Sequence, residues 1–300
     1  MIRYHRQQII RDNQMKKIPA LLLALSFFTL TACSQEENST EISKQQGQAS
    51  QKIIIGSHGS DADIWKFIAQ SPSAKEANVD IDVKIIDDGI TLNVATIDGD
   101  VDVNAFQSWG FLKDFNKSHN NKLTAISTTY FEPMGVYSVK HKNLADLPKQ
   151  AIVAIPNDAA NHIRALKLLE KAQLITLKPE FNQATGSTND IISNPKDLVF
   201  RQIKYAHGPR ALPDVDIAVI GNTAAQEGGL NVLNDSLFRE QNDDSIKNNI
   251  NLLVVKTDNK DDPKFAKLSQ LYHTETVRKY IIDNFGGTKI EITKDVNELD

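Results

Sequence analysis

Asp102-Val103-Asn104-Ala105-Phe106-Gln107-Ser108-Trp109-Gly110-Phe111-Leu112 reads as a strand running directly into a helix, with aromatic residues at the junction. In open α/β sheets, ligands sit just beyond the carboxyl ends of strands, which is where Phe106 and Gln107 fall. A second segment has the same form: Ile155-Pro156-Asn157-Asp158-Ala159-Ala160-Asn161-His162-Ile163-Arg164-Ala165-Leu166. A strand ends there, Asp158 is a good helix N-cap, and the helix opens on Ala159-Ala160. Asn161 and Arg164 lie three residues apart, so they share a face near a helix N-terminus with free N–H groups and partial positive charge. A guanidinium fork beside that end is suited to a carboxylate.

Outward from these two segments the same alternation continues. Ile53 to Gly56 is a short apolar strand, a turn follows over Ser57 to Ser60, and Asp61 to Gln70 is helical with Ile64, Phe67 and Ile68 on one face. Val79, Ile81, Val83 and Ile85 alternate with Asp80, Asp82 and Lys84 in strand periodicity. A helix is predicted over 92–97 and a strand over 101–106. Further strands are predicted over 135–139, 151–155, 198–203, 215–220 and 250–255. Helices are predicted over 108–119, 158–173 and 263–284. Strands and helices alternating at this spacing predict an α/β fold on parallel sheets, and the length suits two lobes.

The N-terminus has a different logic. Cys33 is the only cysteine, and it closes Leu30-Thr31-Ala32-Cys33 behind a basic pair, Lys16-Lys17, and an apolar run from Ile18 to Leu30. That succession resembles the lipobox of bacterial lipoproteins, cut before the cysteine and acylated there. The run is short for a bilayer span, which needs about 20 apolar residues. Residues 1–32 are therefore read as a signal peptide, with Met15 as an alternative start. Residues 33–51 are read as the lipidated cysteine and a polar tether reaching on the order of 20–25 Å. Five of the 34 basic and one of the 38 acidic residues precede Cys33, leaving 29 against 37 and a formal −8. Such a surface repels nucleic acid. Ser34 after the cysteine favours outer-membrane sorting in a Gram-negative host.

The two ligand-proximal segments resemble the methionine-binding lipoproteins of bacterial ABC importers, the NlpA/MetQ family. The family pattern D-A-N-x-F-Q-H-x-P-Y-L is matched at Asp102, Asn104, Phe106, Gln107 and Leu112, and V-P-N-D-x-x-N-x-x-R-A-L at Pro156, Asn157, Asp158, Asn161, Arg164, Ala165 and Leu166. Pro133 to Ser138, Asp216 to Ile220, and Asn251 to Val255 with Asp261-Asp262-Pro263 also match. The resemblance runs in order over about residues 52–290. It implies a two-lobed periplasmic-binding-protein fold, with lobe one over 52–137 plus 248–300 and lobe two over 138–247. The crossovers would be the strand at 135–139 and the stretch near 247. It also implies an amino-acid-like ligand held by Phe106, Ser108, Phe111, Asn161, Arg164 and Asn222, with no cofactor and no metal. The implied partners are an ABC transporter permease and, through lipid, a membrane of the cell envelope; the chain would be a monomer.

Several pocket positions depart from the family. Ser108 stands for its histidine, Phe111 for a tyrosine, and Gly89 in Asp88-Gly89-Ile90 for another tyrosine. The family asparagine of I-N-G-N-Y-A falls at Gly221, with Asn222 next to it. A roomier pocket for another amino acid or a short peptide is the expectation. The seven histidines lack metal-ligand spacing and are expected on the surface or in loops, no G-x-S-x-G elbow is present, and Gly56 to Ser60 lacks the lysine of a phosphate loop. A secreted enzyme is thus disfavoured. A structural or adhesive lipoprotein of the same fold is the other alternative.

Overall fold

The computed structural model describes residues 51–299; the signal peptide, Cys33 and nearly all of the tether lie outside the described residues. The chain begins with β1 (Gln51–Ser57), one residue inside the stretch read as a tether. It continues through α1 (Gly59–Gln70), α2 (Pro72–Glu76), β2 (Val79–Ile85), α3 (Gly89–Asp98), β3 (Val103–Asn104), α4 (Trp109–Ser118) and β4 (Leu123–Phe131). It then passes into β5 (Met134–Tyr137), β6 (Ile152–Pro156), α5 (Ala159–Lys171), a small antiparallel pair β7 (Thr176–Leu177) and β8 (Ile191–Ser193), and β9 (Val199–Ile203). Next come α6 (Gly208–Ala211), β10 (Ile217–Gly221), α7 (Asn222–Glu227) and β11 (Phe238–Arg239). The last part is β12 (Ile250–Lys256), α8 (Pro263–Tyr272), α9 (Glu275–Phe285) and β13 (Ile290–Glu291).

These strands form two sheets. The first has the order β13-β4-β12-β3-β1-β2 and the second β11-β5-β10-β6-β9. β1 pairs in parallel with β2 and β3, and β6 with β9 and β10, as the β-helix-β alternation requires. The sheets are nevertheless mixed, not purely parallel. β12 runs antiparallel to β3 and β4, and β5 antiparallel to β10. Both are strands the chain enters from the other sheet. No helical crossover precedes them, so the geometry that makes neighbours parallel does not apply.

The first crossing is Glu132-Pro133, earlier than the expected one at 135–139, because Met134 to Tyr137 already pairs within the second sheet. Proline lacks the N–H that would continue β4, so the strand stops there. The predicted helix over 263–284 is two helices: α8 ends at Tyr272 with His273 as its C-cap, and the Thr274 side chain accepts from the Val277 N–H to start α9. β4 escaped the sequence reading because Ser127, Thr128 and Thr129 make it look like a loop. Their side chains are buried but satisfied, Thr128 donating to the carbonyls of Ile292 and Lys294 and Ser127 bonding Ser269. Each sheet has its own core, Ile53, Ile55, Trp65, Phe265 and Leu268 on the first and Val153, Ile155, Leu166, Leu169 and Ile217 on the second.

Candidate functional site

The β3–α4 junction is fixed from below by carboxamides. Asn93 donates to Gln107 (3.0 Å), Gln107 returns a bond to Asn93 (2.7 Å) and donates to Asn104 (2.7 Å), and Asn104 donates to Thr96 (2.8 Å). All four side chains are buried, so each lost bond would leave a dry polar group. This network sets the turn that presents Phe106. Its ring meets Phe111 edge-on at 5.7 Å between centroids and His58 at 5.3 Å. Ser108 is the N-cap of α4, its hydroxyl accepting from the Phe111 N–H at 3.3 Å.

On the other side, Asp158 caps α5 and accepts both the backbone and side-chain N–H of Asn161, at 2.9 and 3.0 Å. Arg164 was expected to hold its fork toward a ligand. Instead the fork grips Glu240, Nε to Oε1 at 2.9 Å and Nη2 to Oε2 at 2.5 Å, while Nη2 also donates to the Glu132 carbonyl at 2.7 Å. The Arg164 side chain is only 10% exposed. Burial pulls its pKa down, but the Glu240 carboxylate more than restores it, so the charge is kept inside. Only Nε and Nη2 of the fork are engaged in these bonds.

Asn222 lies deeper, in a sealed polar cluster where the lobes join. Its amide donates to Glu132 (3.0 Å) and Thr288 (3.3 Å), and Thr223 donates to Glu132 (2.9 Å). Lys289, fully buried, bridges Glu132 at 2.8 Å and Asp61 at 3.0 Å with its ammonium 4.0 Å over the Tyr130 ring. Tyr130 in turn donates to Asp61. Burial raises the Asp61 pKa even with Lys289 beside it. Burial also pushes Glu132 up, but Lys289 and the bonds from Asn222 and Thr223 reverse this and hold it low. The extra room expected at Gly221 is taken, since a Cβ there would collide with the Tyr205 phenol. His162, expected in a surface or loop position, is buried on α5 with Nδ1 3.0 Å from the Pro156 carbonyl.

Between α4 and α5 lies a cavity of about 350 Å³. It brings together Ser108, Asn161 and Arg164 from the sequence-derived set, along with Lys167, Glu240 and Asn249. Phe106 and Phe111 do not line it; Phe106 borders instead a void of about 10 Å³ beside Asp61, Trp65 and Tyr130. Asn222 is likewise not on its wall. Sequence reasoning missed Glu240, Glu132, Lys289, Tyr205 and Lys167, none of which stands in a local pattern that marks it. Across the cavity the two lobes meet directly, Asn248 donating to Gln183 at 3.1 Å and Lys117 to the Ala184 carbonyl at 3.5 Å.

Residues 53–293 match the family model described as NlpA lipoprotein. Outer membrane lipoprotein 1 of Mannheimia haemolytica is 36% identical over 264 residues, 87% of this chain and 93% of the relative. A probable D-methionine-binding lipoprotein MetQ of Pasteurella multocida is 32% identical over 277 residues, 91% of this chain and 98% of the relative. Among solved structures, a nutrient binding protein from Burkholderia cenocepacia bound to methionine superposes with a TM-score of 0.76 at 32% identity, over 80% of this chain and 99% of that one. The two sheets are thus the lobes of a periplasmic-binding-protein fold with its ligand cleft between them, and the chain belongs to the NlpA lipoprotein family.

Proposed function

We propose that this protein is the substrate-binding component of an ABC importer, taking methionine or a related amino acid or short peptide in the cleft between its lobes. The observation that carries this reading is the cavity between α4 and α5, whose two walls come from different lobes and include Ser108 on one and Asn161 and Arg164 on the other. A ligand touching both walls would favour the closed arrangement of the lobes. Its carboxylate would meet Arg164 Nη1 and the N-terminal turn of α5. The methionine-bound relative and the relatives named as methionine-binding lipoproteins support the ligand class. Acylation at Cys33 would tether the domain at the membrane, close to a permease, and the lipoprotein relatives support an envelope location.

The test is a thermal-shift titration of the mature chain with L-methionine and the other amino acids. Ligand at about 100 times its Kd should add about 2.7 kcal/mol of stability and raise the melting temperature progressively. Native mass spectrometry of the full chain from a bacterial host reads both a copurified ligand and the acyl mass on Cys33. An apo protein with no response to any amino acid or short peptide would favour the structural-lipoprotein reading. That alternative has one observation behind it, Ser34 in the position that favours outer-membrane sorting, in keeping with relatives named outer membrane lipoproteins.

A further inference from the structure

The parallel strands of the second sheet end at one edge. β6 runs beside β9 and β10, and all three point the same way. Past their carboxyl ends come Asp158 and Asn161 after β6, Tyr205 after β9, and Asn222 after β10. The Asn157 N–H donates to the Ile203 carbonyl at 2.9 Å, which ties the first two ends together. That edge is where an α/β sheet offers its ligand site, and Tyr205 brings an aromatic ring to it.

The ring is laid against Gly221. A Cβ there would lie 1.9 Å from the Tyr205 Oη, 2.6 Å from Cζ and 2.7 Å from Cε2. The glycine has an ordinary φ of −70°, so conformational freedom is not what selects it. Close approach of the phenol is. The body of the ring packs on the apolar group around Ala218, Ile220 and Ala224. Behind it the chain is pressed onto the same strand, since a Cβ at Gly208 would come within 2.9 Å of Ile220. Gly221 pairs with Met134 across β10 and β5, and the Met134 N–H donates at 2.8 Å to the Glu240 oxygen that also accepts from Arg164 Nη2. The phenol therefore stands one strand away from the carboxylate that grips Arg164. Burial, and next the negative charge of Glu132, raise its pKa well above the ordinary range, so the hydroxyl keeps its proton.

We infer that Tyr205 is a specificity-determining residue of the cleft, its ring filling the strand edge beside Arg164 so that a free α-amino acid fits and one extended by a peptide bond at its amino nitrogen does not. This rests on the reading of the cleft as an amino-acid site. Neighbouring strands are about 4.8 Å apart, so a ligand whose carboxylate is held at one strand end has its next atoms at the neighbouring one. A free ammonium there meets the phenol oxygen, which can accept as well as donate. A peptide extension meets the ring instead. The ring cannot yield toward the sheet, because it already rests on the Gly221 backbone. The glycine makes room for the tyrosine and not for a larger ligand.

The experiment is calorimetry of L-methionine and glycyl-L-methionine with the mature chain as wild type, Tyr205→Leu, Tyr205→Phe and Gly221→Ala. The dipeptide keeps the methionine side chain and the free carboxylate, so the ratio of the two affinities reads the room at the amino end. Wild type should bind methionine at least about tenfold more tightly than the dipeptide. Tyr205→Leu keeps the packing on Ile220 but does not reach Gly221, and should narrow the ratio to under about threefold through tighter dipeptide binding. Tyr205→Phe keeps the ring, so the ratio should persist while methionine binding weakens about three- to tenfold for the lost hydroxyl. Should Tyr205→Leu melt too low to be measured, Gly221→Ala reads the same contact from the other side. It displaces the ring and should weaken methionine binding at least about tenfold. Equal binding of the two ligands by wild type, a ratio unchanged in Tyr205→Leu, or an affinity unchanged in Gly221→Ala overturns the inference and leaves the amino-acid cleft standing. If wild type binds neither ligand, the amino-acid reading falls and this inference falls with it.

Discussion

Lys289 and Lys167 are both lysines drawn out of bulk water, and they have opposite surroundings. Lys289 is sealed at the lobe junction between two carboxylates and an aromatic face, and its pKa is raised because Asp61 and Glu132 outweigh the burial. Lys167 stands half-buried on a cavity wall, where burial and the like charge of Lys171 lower its pKa and outweigh Glu170 and Glu240, which pull it up. A lysine clamped between two carboxylates has a structural role, and one held by none in salt-bridge contact among the described residues has only its burial and its neighbours to set its charge. Arg164 is intermediate. Glu240 and the Glu132 carbonyl hold most of its fork, and one nitrogen is left over.

The largest expected effect comes from breaking the sealed side of this comparison. Lys289→Met leaves two buried carboxylates facing each other without a cation, and should destabilise the domain by about 3–5 kcal/mol in chemical denaturation. The pH dependence has a definite sign. In wild type Glu132 is held below the ordinary carboxylate range, so its contribution is present above the unfolded-state pKa and is lost as pH falls through the folded one. Without Lys289 both carboxyl groups rise, protonation relieves them, and the deficit relative to wild type should shrink toward acid. A deficit constant from pH 7 to pH 4 would show that packing, not charge, is what Lys289 supplies.

A smaller effect is expected at the intermediate site. Arg164→Ala strands the Glu240 carboxylate, whose side chain is 10% exposed, and should cost about 3 kcal/mol. Adding Glu240→Gln to that variant should recover a large part of the loss. A double-mutant cycle with no coupling would mean the fork is free to serve a ligand entirely. The smallest effect separates a capping role from a binding role for Ser108. Ser108→Ala removes the hydroxyl that caps α4 and should cost about 1 kcal/mol in stability while shifting ligand affinity less than twofold. A large affinity loss with unchanged stability would place its hydroxyl on the ligand instead.

The elements that carry the two cleft walls were legible because their determinants are local. A cap, a run of strand-forming residues and a helical period lie within a dozen positions, so Asp158 could be read as the N-cap of α5 and Val79 to Ile85 as an alternating strand. β4 was not legible, since its buried hydroxyls are acceptable only once Ile292, Lys294 and Ser269 arrive to bond them. The same holds for the break between α8 and α9, where one threonine interrupts an otherwise continuous helical pattern.

By itself the sequence determined the family, the two-lobed α/β class and the pair of helix N-termini that line the cleft. What each charged residue does was decided only by the tertiary structure. Arg164 meets Glu240 across 76 residues of chain and Lys289 meets Asp61 across 228, and no local spacing announces either pair. Coulomb energy depends on distance in space and on the exclusion of water, both set by how the lobes close on each other. A charged side chain is therefore a sealed tie, a shared fork or a half-buried wall residue according to what the fold brings to it.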